Sequence, residues 1–327
     1  MNRLTRWLTA LLVGIATTAA SLPAMAQGAW PTRPVMLIVP YAAGGFGDIR
    51  ARQVAERLGK VLGQQVVVNN HPGAGGVTGT LLIARAAPDG YTIGMGNLAP
   101  LAVNRSLMKK LPYDPDADFE PVILLERAPL ILSVHPAQGV TTLGALVAKA
   151  RAEPGKLTYG SSGIGGAHHL SGAMLEHLAG IDLTHVPYKG GSAAASDLAG
   201  GHIAMMFEMG YAALPSIQGG RVRPLAVTSS RRIPLLKDVP TMAEAGLAGF
   251  ESYNWQGIIA PRGTPAAIVQ QLNKELNAIL QMPAVREAIA AHASEPQGGT
   301  PEAFGAFVKA EAAKWGAVVR RANIQPE

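Results

Sequence analysis

Short runs of Val, Ile and Leu alternate with amphipathic stretches along most of this chain, and this alternation restricts the fold more than any other feature. Three runs of strand length, at 35–39, 65–69 and 91–94, are separated by stretches with helical spacing of apolar residues, at about 48–62 and 77–86. Repeated strand–helix units of this kind build mostly parallel sheets, whose strands are buried on both faces. The sequence therefore predicts an α/β fold.

The same alternation starts again in the middle of the chain. Helical stretches near 143–153, 168–179 and 193–199 alternate with strands at 157–159, 183–186, 203–207 and 225–228. Extended runs at 122–125, 130–134 and 251–260 stand before and after this second unit. A length of 327 residues also exceeds what one hydrophobic core usually holds.

We therefore predict two α/β lobes joined by crossing strands, with a ligand cleft between them that closes on its ligand. Lobe 1 is discontinuous and comprises 27–126 and 251–327, and lobe 2 is inserted at 127–250. Helical stretches at 264–280, 284–291 and 301–321 complete lobe 1. A single doubly wound sheet remains the alternative.

The first 26 residues have the layout of a cleavable secretory signal. Basic Arg3 and Arg6 precede an apolar stretch at 8–22, and the small residues Ala24 and Ala26 follow it. This order predicts export to the periplasm with cleavage after Ala26. The alternative is an uncleaved membrane anchor, which the short apolar stretch does not favour.

Composition excludes several classes of function. The chain has no Cys, so disulfides, thiolate catalysis and a lipid-anchored cysteine are ruled out. Removal of the predicted signal takes away two arginines and no acids, which lowers the formal charge from +6 to +4. Only 5% of residues are aromatic, and no Lys/Arg cluster is interleaved with them, so we predict a small acidic ligand and no nucleic acid.

The stretch "VPYAAGGFGDIRAR", 39–52, leaves the first strand through Gly44 and Gly45 and enters a helix that we expect to begin near Asp48. The first turn of a helix has backbone N–H groups without intrahelical partners, and the macrodipole adds partial positive charge there. Glycine lets a ligand approach this backbone closely. We predict an anion site here with Asp48 as the N-cap; the alternative is an ordinary capped turn.

Lobe 2 repeats this composition in "TYGSSGIGGAHHL", 158–170, where a strand runs through glycines and serines into a helix near His168. Carboxyl ends of the strands in open α/β sheets are where ligands bind, so both helix ends should face one cleft. A third turn, in "HVPYKGG", carries Tyr188 and Lys189, either of which could meet an anion or simply pack and be solvated. Glu208 is equally open to a ligand or a neighbouring donor.

Other motifs give no support for a cofactor, a metal or catalysis. "GAGGVTG", 73–79, has Thr78 where a dinucleotide loop needs its third glycine, and "GSSGIGG" has Ile164 where a nucleophile elbow needs its last glycine. His168 and His169 are adjacent, so they face different sides of a helix and are poorly placed to share a metal. A secreted hydrolase or lyase that uses Asp48 with His169 is the weaker alternative.

Several strings, taken together and in order, resemble one known family. They include "RPVMLIVPYAAGGFGDIRAR", "VVVNNHPGAGGVTGTLLIARAAPDGYTI", "LPYDPDADFEPV", "YGSSGIGGAHHLSG" and "HVPYKGGSAAASDLAGGHIAMMF". The chain is similar over its whole mature length to the extracytoplasmic receptors of tripartite tricarboxylate transporters, the Bordetella uptake gene or TctC-like family. That resemblance implies a periplasmic-binding-protein fold that closes around a small organic carboxylate and delivers it to a two-component membrane permease.

The resemblance also implies which residues bind the ligand. In that family one carboxylate is held largely by backbone N–H groups and ordered waters at the first strand–helix loop. Together with the motifs above, this predicts a binding site formed by Tyr41, Ala42, Gly44, Gly45, Phe46, Gly47, Asp48, Ala74, Ser161, Ser162, Gly165, Ala167, His169, Tyr188, Lys189 and Glu208. We expect a monomer without a cofactor. A ligand-sensing partner of a membrane sensor kinase is the alternative with the same fold.

Three positions depart from the family pattern. Gly47 stands where a hydroxyl or amide residue often precedes the aspartate, and Ile164 and Gly166 stand where Asn and Ser are common. Fewer side-chain donors, with Phe46 and Ile164 added, favour a larger or more apolar acid, including an aromatic one, over a compact polyhydroxylated or amino acid.

Overall fold

The computed structural model describes residues 30–322 and residue 324. The predicted signal, 1–26, lies outside the described residues. Among the helices of the described part, none is long and apolar enough to cross a membrane.

Lobe 1 is built from the two ends of the chain. Its first part contains β1 (Val35–Val39), α1 (Phe46–Leu62), β2 (Val66–Asn70), α2 (Val77–Ala84), β3 (Thr92–Asn97), α3 (Asn104–Leu107) and the start of β4 (Phe119–Val134). Lobe 2 continues with α4 (Leu143–Ala152), β5 (Thr158–Ser161), α5 (Ala167–Ala179), β6 (Thr184–Pro187), α6 (Gly191–Ala199), β7 (Met205–Met209), α7 (Gly210–Gln218) and β8 (Arg223–Val227). The chain returns to lobe 1 through β9 (Tyr253–Pro261), α8 (Ala266–Gln281), α9 (Pro283–Ala290), β10 (Glu295–Pro296) and α10 (Pro301–Arg321).

The strands lie in the order β2-β1-β3-β9-β4-β7-β5-β6, and β8 and β10 also pair with β4. β1 is parallel to β2 and β3, and β5 is parallel to β6 and β7, as the strand–helix alternation predicts. β4 belongs to both lobes: Pro129 lies opposite Tyr253 of β9, and the next residue, Leu130, lies opposite Met209 of β7. The fold is thus the predicted pair of α/β lobes joined by crossing strands.

One continuous strand, β4, replaces the two extended runs predicted at 122–125 and 130–134. Glu126 interrupts the apolar pattern in the sequence, yet its side chain is completely buried in the strand. Prediction also missed α7, which follows β7 without a loop and contains Pro215. Ala99–Val103, for which no element was predicted, is helical and buried.

Helices cover both faces of each sheet. In lobe 1, α1 buries Ala51, Val54, Ala55 and Leu58 at helical spacing against β1 and against α8. α2 and α10 cover the opposite face, and this core continues into lobe 2 through Leu170 and Met174 of α5. Because α1 follows β1 after a short loop, its N-terminus lies near the carboxyl end of β1, beside residues of lobe 2.

A buried polar network fixes α1 to both crossing strands. Arg50 of α1 donates two hydrogen bonds of 2.9 Å to the two carboxylate oxygens of Glu126 on β4. The side chain of Gln256 on β9 donates to the same carboxylate and, at 3.3 Å, to the backbone carbonyl of Phe46. The side chains of Arg50 and Glu126 are only 2% and 0% exposed, so this pair is shielded from solvent.

We expect Glu126→Ala to lower the free energy of unfolding by about 3–5 kcal/mol, because it leaves the Arg50 guanidinium buried without its partner. Urea denaturation followed by circular dichroism measures the loss. The double variant Arg50→Met/Glu126→Leu is the matched control, since it removes both charges and should recover most of the stability. A loss below about 1 kcal/mol for Glu126→Ala would mean that water reaches the pair.

Candidate functional site

A cavity of about 320 Å³ lies between the lobes. Lobe 1 lines it with Tyr41, Ala42, Ala43, Gly44, Gly45, Phe46, Gly47, Gly75, Asn97, Leu98 and Ala99, and with Asn254 of the crossing strand β9. Lobe 2 lines it with Ser162, Ile164, Gly166, Ala167, His168, Lys189, Gly190, Gly191, Ser192, Met209 and Tyr211. The carboxyl ends of β1, β3, β5 and β7 therefore meet at one site.

Four helices begin at this cavity. The residue before each helix lines the cavity: Gly45 before α1, Gly166 before α5, Gly190 before α6 and Met209 before α7. No side chain caps any of these four helices. Each first turn therefore presents backbone N–H groups and the positive end of its macrodipole to the same space. Helix ends in this arrangement can bind an anion with neutral donors.

The helix of the first loop begins two residues earlier than predicted, and Asp48 is not its N-cap. Gly45 occupies that position with extended backbone angles, φ −85° and ψ 176°. The Asp48 carboxylate instead accepts the Gly44 N–H at 2.8 Å and pairs with Arg52 at 3.0 Å. Gly44 itself has φ +77°, which favours glycine. Asp48 thus stabilises the loop through the Gly44 N–H, and Asp48 itself does not line the cavity.

The charge of Asp48 is stabilised locally. Burial acts to raise the pKa of this carboxyl, but the hydrogen bonds from Arg52 and from the Gly44 N–H outweigh it and place the pKa below its usual value. The carboxylate is therefore ionised at neutral pH and neutralised by Arg52.

A stack of rings supports the loop of lobe 2 between β5 and α5. The rings of His169 and His185 lie 4.0 Å apart, and Tyr159 stacks on His185 at 4.9 Å. Nδ1 of His169 accepts the Gly165 N–H at 3.1 Å, and Nε2 of His185 lies 2.6 Å from the Ser161 hydroxyl. These side chains fix the loop from the side opposite the cavity.

His168 takes the other direction and lines the cavity. Its Nδ1 lies 2.8 Å from the hydroxyl of Ser162, which also lines it. Burial lowers the pKa of His168 to about 4, and burial together with the neighbouring His185 does the same for His169. Both rings are neutral at physiological pH.

The third turn separates its two predicted residues. Tyr188 donates from its hydroxyl to Asp197 at 2.6 Å and is not part of the wall, whereas Lys189 lines the cavity from an exposed position beside Gly190. Lys189 is the only charged side chain among the described residues that form the wall.

The structure brings nine of the sixteen predicted residues into the wall: Tyr41, Ala42, Gly44, Gly45, Phe46, Gly47, Ser162, Ala167 and Lys189. It leaves seven outside: Asp48, Ala74, Ser161, Gly165, His169, Tyr188 and Glu208. Gly75 lines the cavity where Ala74 was predicted to, and Met209 lines it where Glu208 was predicted to. The Glu208 side chain is completely buried, and burial raises its pKa to about 7.

Sequence reasoning missed wall residues that lie far from the glycine turns. Asn97, Leu98 and Ala99 follow β3, and their position at the carboxyl end of a parallel strand was the available signal. Met209 is the last residue of β7, Tyr211 belongs to the unpredicted α7, and Asn254 comes from the crossing strand β9. Within the described residues no group of three or more His, Asp or Glu side chains is arranged to hold a metal ion.

Comparisons with known proteins agree with this geometry. The family model described as tripartite tricarboxylate transporter family receptor, TctC, matches residues 50–324. The chain is 39% identical over 323 residues to the protein BugT of Bordetella pertussis strain Tohama I, with 98% of this chain and 99% of BugT covered.

Solved structures give the same result. The Rhodopseudomonas palustris protein Rpa4515, solved with adipate, is 39% identical and superposes with a TM-score of 0.87 over 91% of this chain and 100% of its own. MatC from Rhodopseudomonas palustris, solved with bound malate, is 33% identical with a TM-score of 0.82 over 89% of this chain and 100% of its own. These similar proteins are solute-binding receptors and not enzymes. The chain therefore belongs to the receptor family of tripartite tricarboxylate transporters.

Proposed function

We propose that this protein captures a small organic carboxylate in the periplasm and delivers it to a two-component membrane permease. One observation carries the proposal: four helices with uncapped N-termini, α1 from lobe 1 and the others from lobe 2, begin at a single cavity. Their N–H groups can satisfy carboxylate oxygens without a compensating buried charge. β4 and β9 act as the hinge on which the lobes, 27–126 with 251–327 and 127–250, close as a monomer.

The chemistry of the wall favours a carboxylate with an apolar body. Apolar side chains that line the cavity include Phe46, Leu98, Ile164 and Met209. Adipate, bound by Rpa4515, and malate, bound by MatC, represent a longer apolar and a shorter hydroxylated acid. We infer that this chain prefers the first type or an aromatic acid, because Ile164 is 40% exposed on the loop of lobe 2 and gains burial when a ligand covers it.

A thermal-shift screen of the purified mature chain tests the proposal. Adipate, benzoate, malate, citrate and glutamate are compared with uncharged adipamide at pH 7. We expect at least one acid to raise Tm in a concentration-dependent way and to be recovered chemically unchanged after long incubation. Stabilisation by adipamide to the same extent would contradict anion recognition, and turnover of the acid would contradict a receptor.

Gly45→Ala should weaken binding of the stabilising acid by about tenfold to a thousandfold, because the added Cβ would keep the carboxylate from one or two backbone N–H groups, and each such hydrogen bond contributes about 1.5–3 kcal/mol. The fold should tolerate the change. The backbone angles of Gly45 suit any residue, and an added Cβ would meet only the Ala42 carbonyl oxygen, at 3.5 Å. Isothermal titration calorimetry measures affinity, and Tm should change by less than about 4 °C.

Gly144→Ala provides the matched control for this variant. Gly144 lies exposed on α4, away from the cavity, and an added Cβ would meet no atom within 4 Å. This substitution should leave affinity unchanged and stabilise the helix by about 0.5–1 kcal/mol. If Gly45→Ala binds the acid as tightly as Gly144→Ala does, the glycine serves only the turn.

A further inference from the structure

His168 is a buried polar side chain with one ring nitrogen engaged and the other directed at the cavity. The residue is 6% exposed and lines the cavity as the second residue of α5. Nδ1 pairs with the Ser162 hydroxyl at 2.8 Å, and within residues 30–322 Nε2 has no hydrogen-bond partner. Once a ligand fills the cavity and displaces water, a ring nitrogen without a partner is costly, so the open position of Nε2 points to a ligand atom.

The surroundings of Nε2 define the kind of atom that fits. A Cβ built on Gly191, the first residue of α6, would lie 3.5 Å from Nε2 and 3.9 Å from the hydroxyl of Tyr211. The ring edge therefore lies beside the uncapped N-terminus of α6. Backbone donors and a positive dipole end at this point favour an acceptor oxygen.

The direction of the hydrogen bond between Ser162 and Nδ1 is coupled to which ring nitrogen carries the proton. The Ser162 hydroxyl has His168 Nδ1 as its hydrogen-bond partner among the described residues. When this hydroxyl donates to Nδ1, its own proton is satisfied and the neutral ring carries its proton on Nε2. The opposite tautomer would direct a lone pair at the position that α6 prepares for an anion.

We propose that His168 is a specificity-determining residue whose Nε2–H donates to an oxygen of the bound acid, with Ser162 fixing the tautomer. This inference rests on the proposed function, because it assigns one donor within the same cavity. The oxygen is that of a carboxylate, held jointly with the N-terminus of α6. A purely structural His168 would fill space, and its ring nitrogens would have no effect on affinity.

Burial agrees with a neutral donor. It lowers the pKa of His168 to about 4, so the ring stays uncharged at pH 7. A neutral donor beside helix ends avoids burying a cation among the positive ends of α5, α6 and α7.

The first arm of the test needs no ligand. Long-range ¹⁵N–¹H correlation of the side chains of the ¹⁵N-labelled mature protein at pH 7, assigned with His168→Gln, reports the tautomer of His168 directly. We expect a neutral ring protonated on Nε2, and Ser162→Ala should reduce that tautomer's population. A ring protonated on Nδ1 would overturn the inference.

The second arm measures adipate affinity by calorimetry, with malate as the probe if adipate gives no thermal shift. His168→Leu should weaken binding about 10- to 100-fold. His168→Gln, whose side-chain amide can place a donor near the same point, should remain within about fivefold of the wild type, and Tm identifies any variant that fails to fold. Equal losses in His168→Leu and His168→Gln, or wild-type affinity in His168→Leu, would overturn the inference. If the wild type binds neither acid, the proposed function fails for these acids, and the tautomer still decides the donor assignment.

Discussion

The buried pair of Arg50 and Glu126 is the interaction on which the site geometry depends. It ties α1 to β4, and Gln256 extends the tie to β9 and to the Phe46 carbonyl in the first turn of α1. Burying two charges costs much of what their attraction gains. The main effect of this pair is therefore to position α1 on β4, and its net contribution to stability is small. It sets the N-terminus of α1 relative to β4, the strand that pairs in both lobes, and to β9 beside it.

The charged side chains around the N-terminus of α1 are paired with one another. The ionised groups near α1 are already matched, Arg50 with Glu126 and Asp48 with Arg52, and Lys189 lies exposed at the cavity. Attraction for the proposed carboxylate would therefore come mainly from helix ends and neutral donors. Dipoles that are fixed by folding need no reorganisation when the ligand enters, and they leave no unpaired buried charge when it departs.

Sequence reasoning identified elements whose information is local. β1 and α10 have the predicted bounds, because a run of apolar residues or a long amphipathic pattern suffices for each. The glycine turns also reached the cavity, since the position of a strand–helix turn follows from the order of the elements and needs no knowledge of side-chain direction. The prediction of Asp48 as an N-cap was wrong, because its carboxylate bonds to the Gly44 N–H and pairs with Arg52. The continuous strand β4 was not predicted, because Glu126 is charged and is buried only through its contact with Arg50. Residue spacing does not encode either contact.

The two adjacent histidines mark the limit of that reasoning most clearly. Adjacent positions on a helix must diverge, and the predicted site included His169, whereas in the structure His168 lines the cavity. This difference depends on β6: the ring of His185 stacks on His169 and draws it behind the loop, which leaves His168 facing the cavity. A residue distant in the chain thus decides which histidine lines the cavity. With His168 in its proposed role, specificity would depend on the packing of His185 against His169 as much as on the residues in the wall.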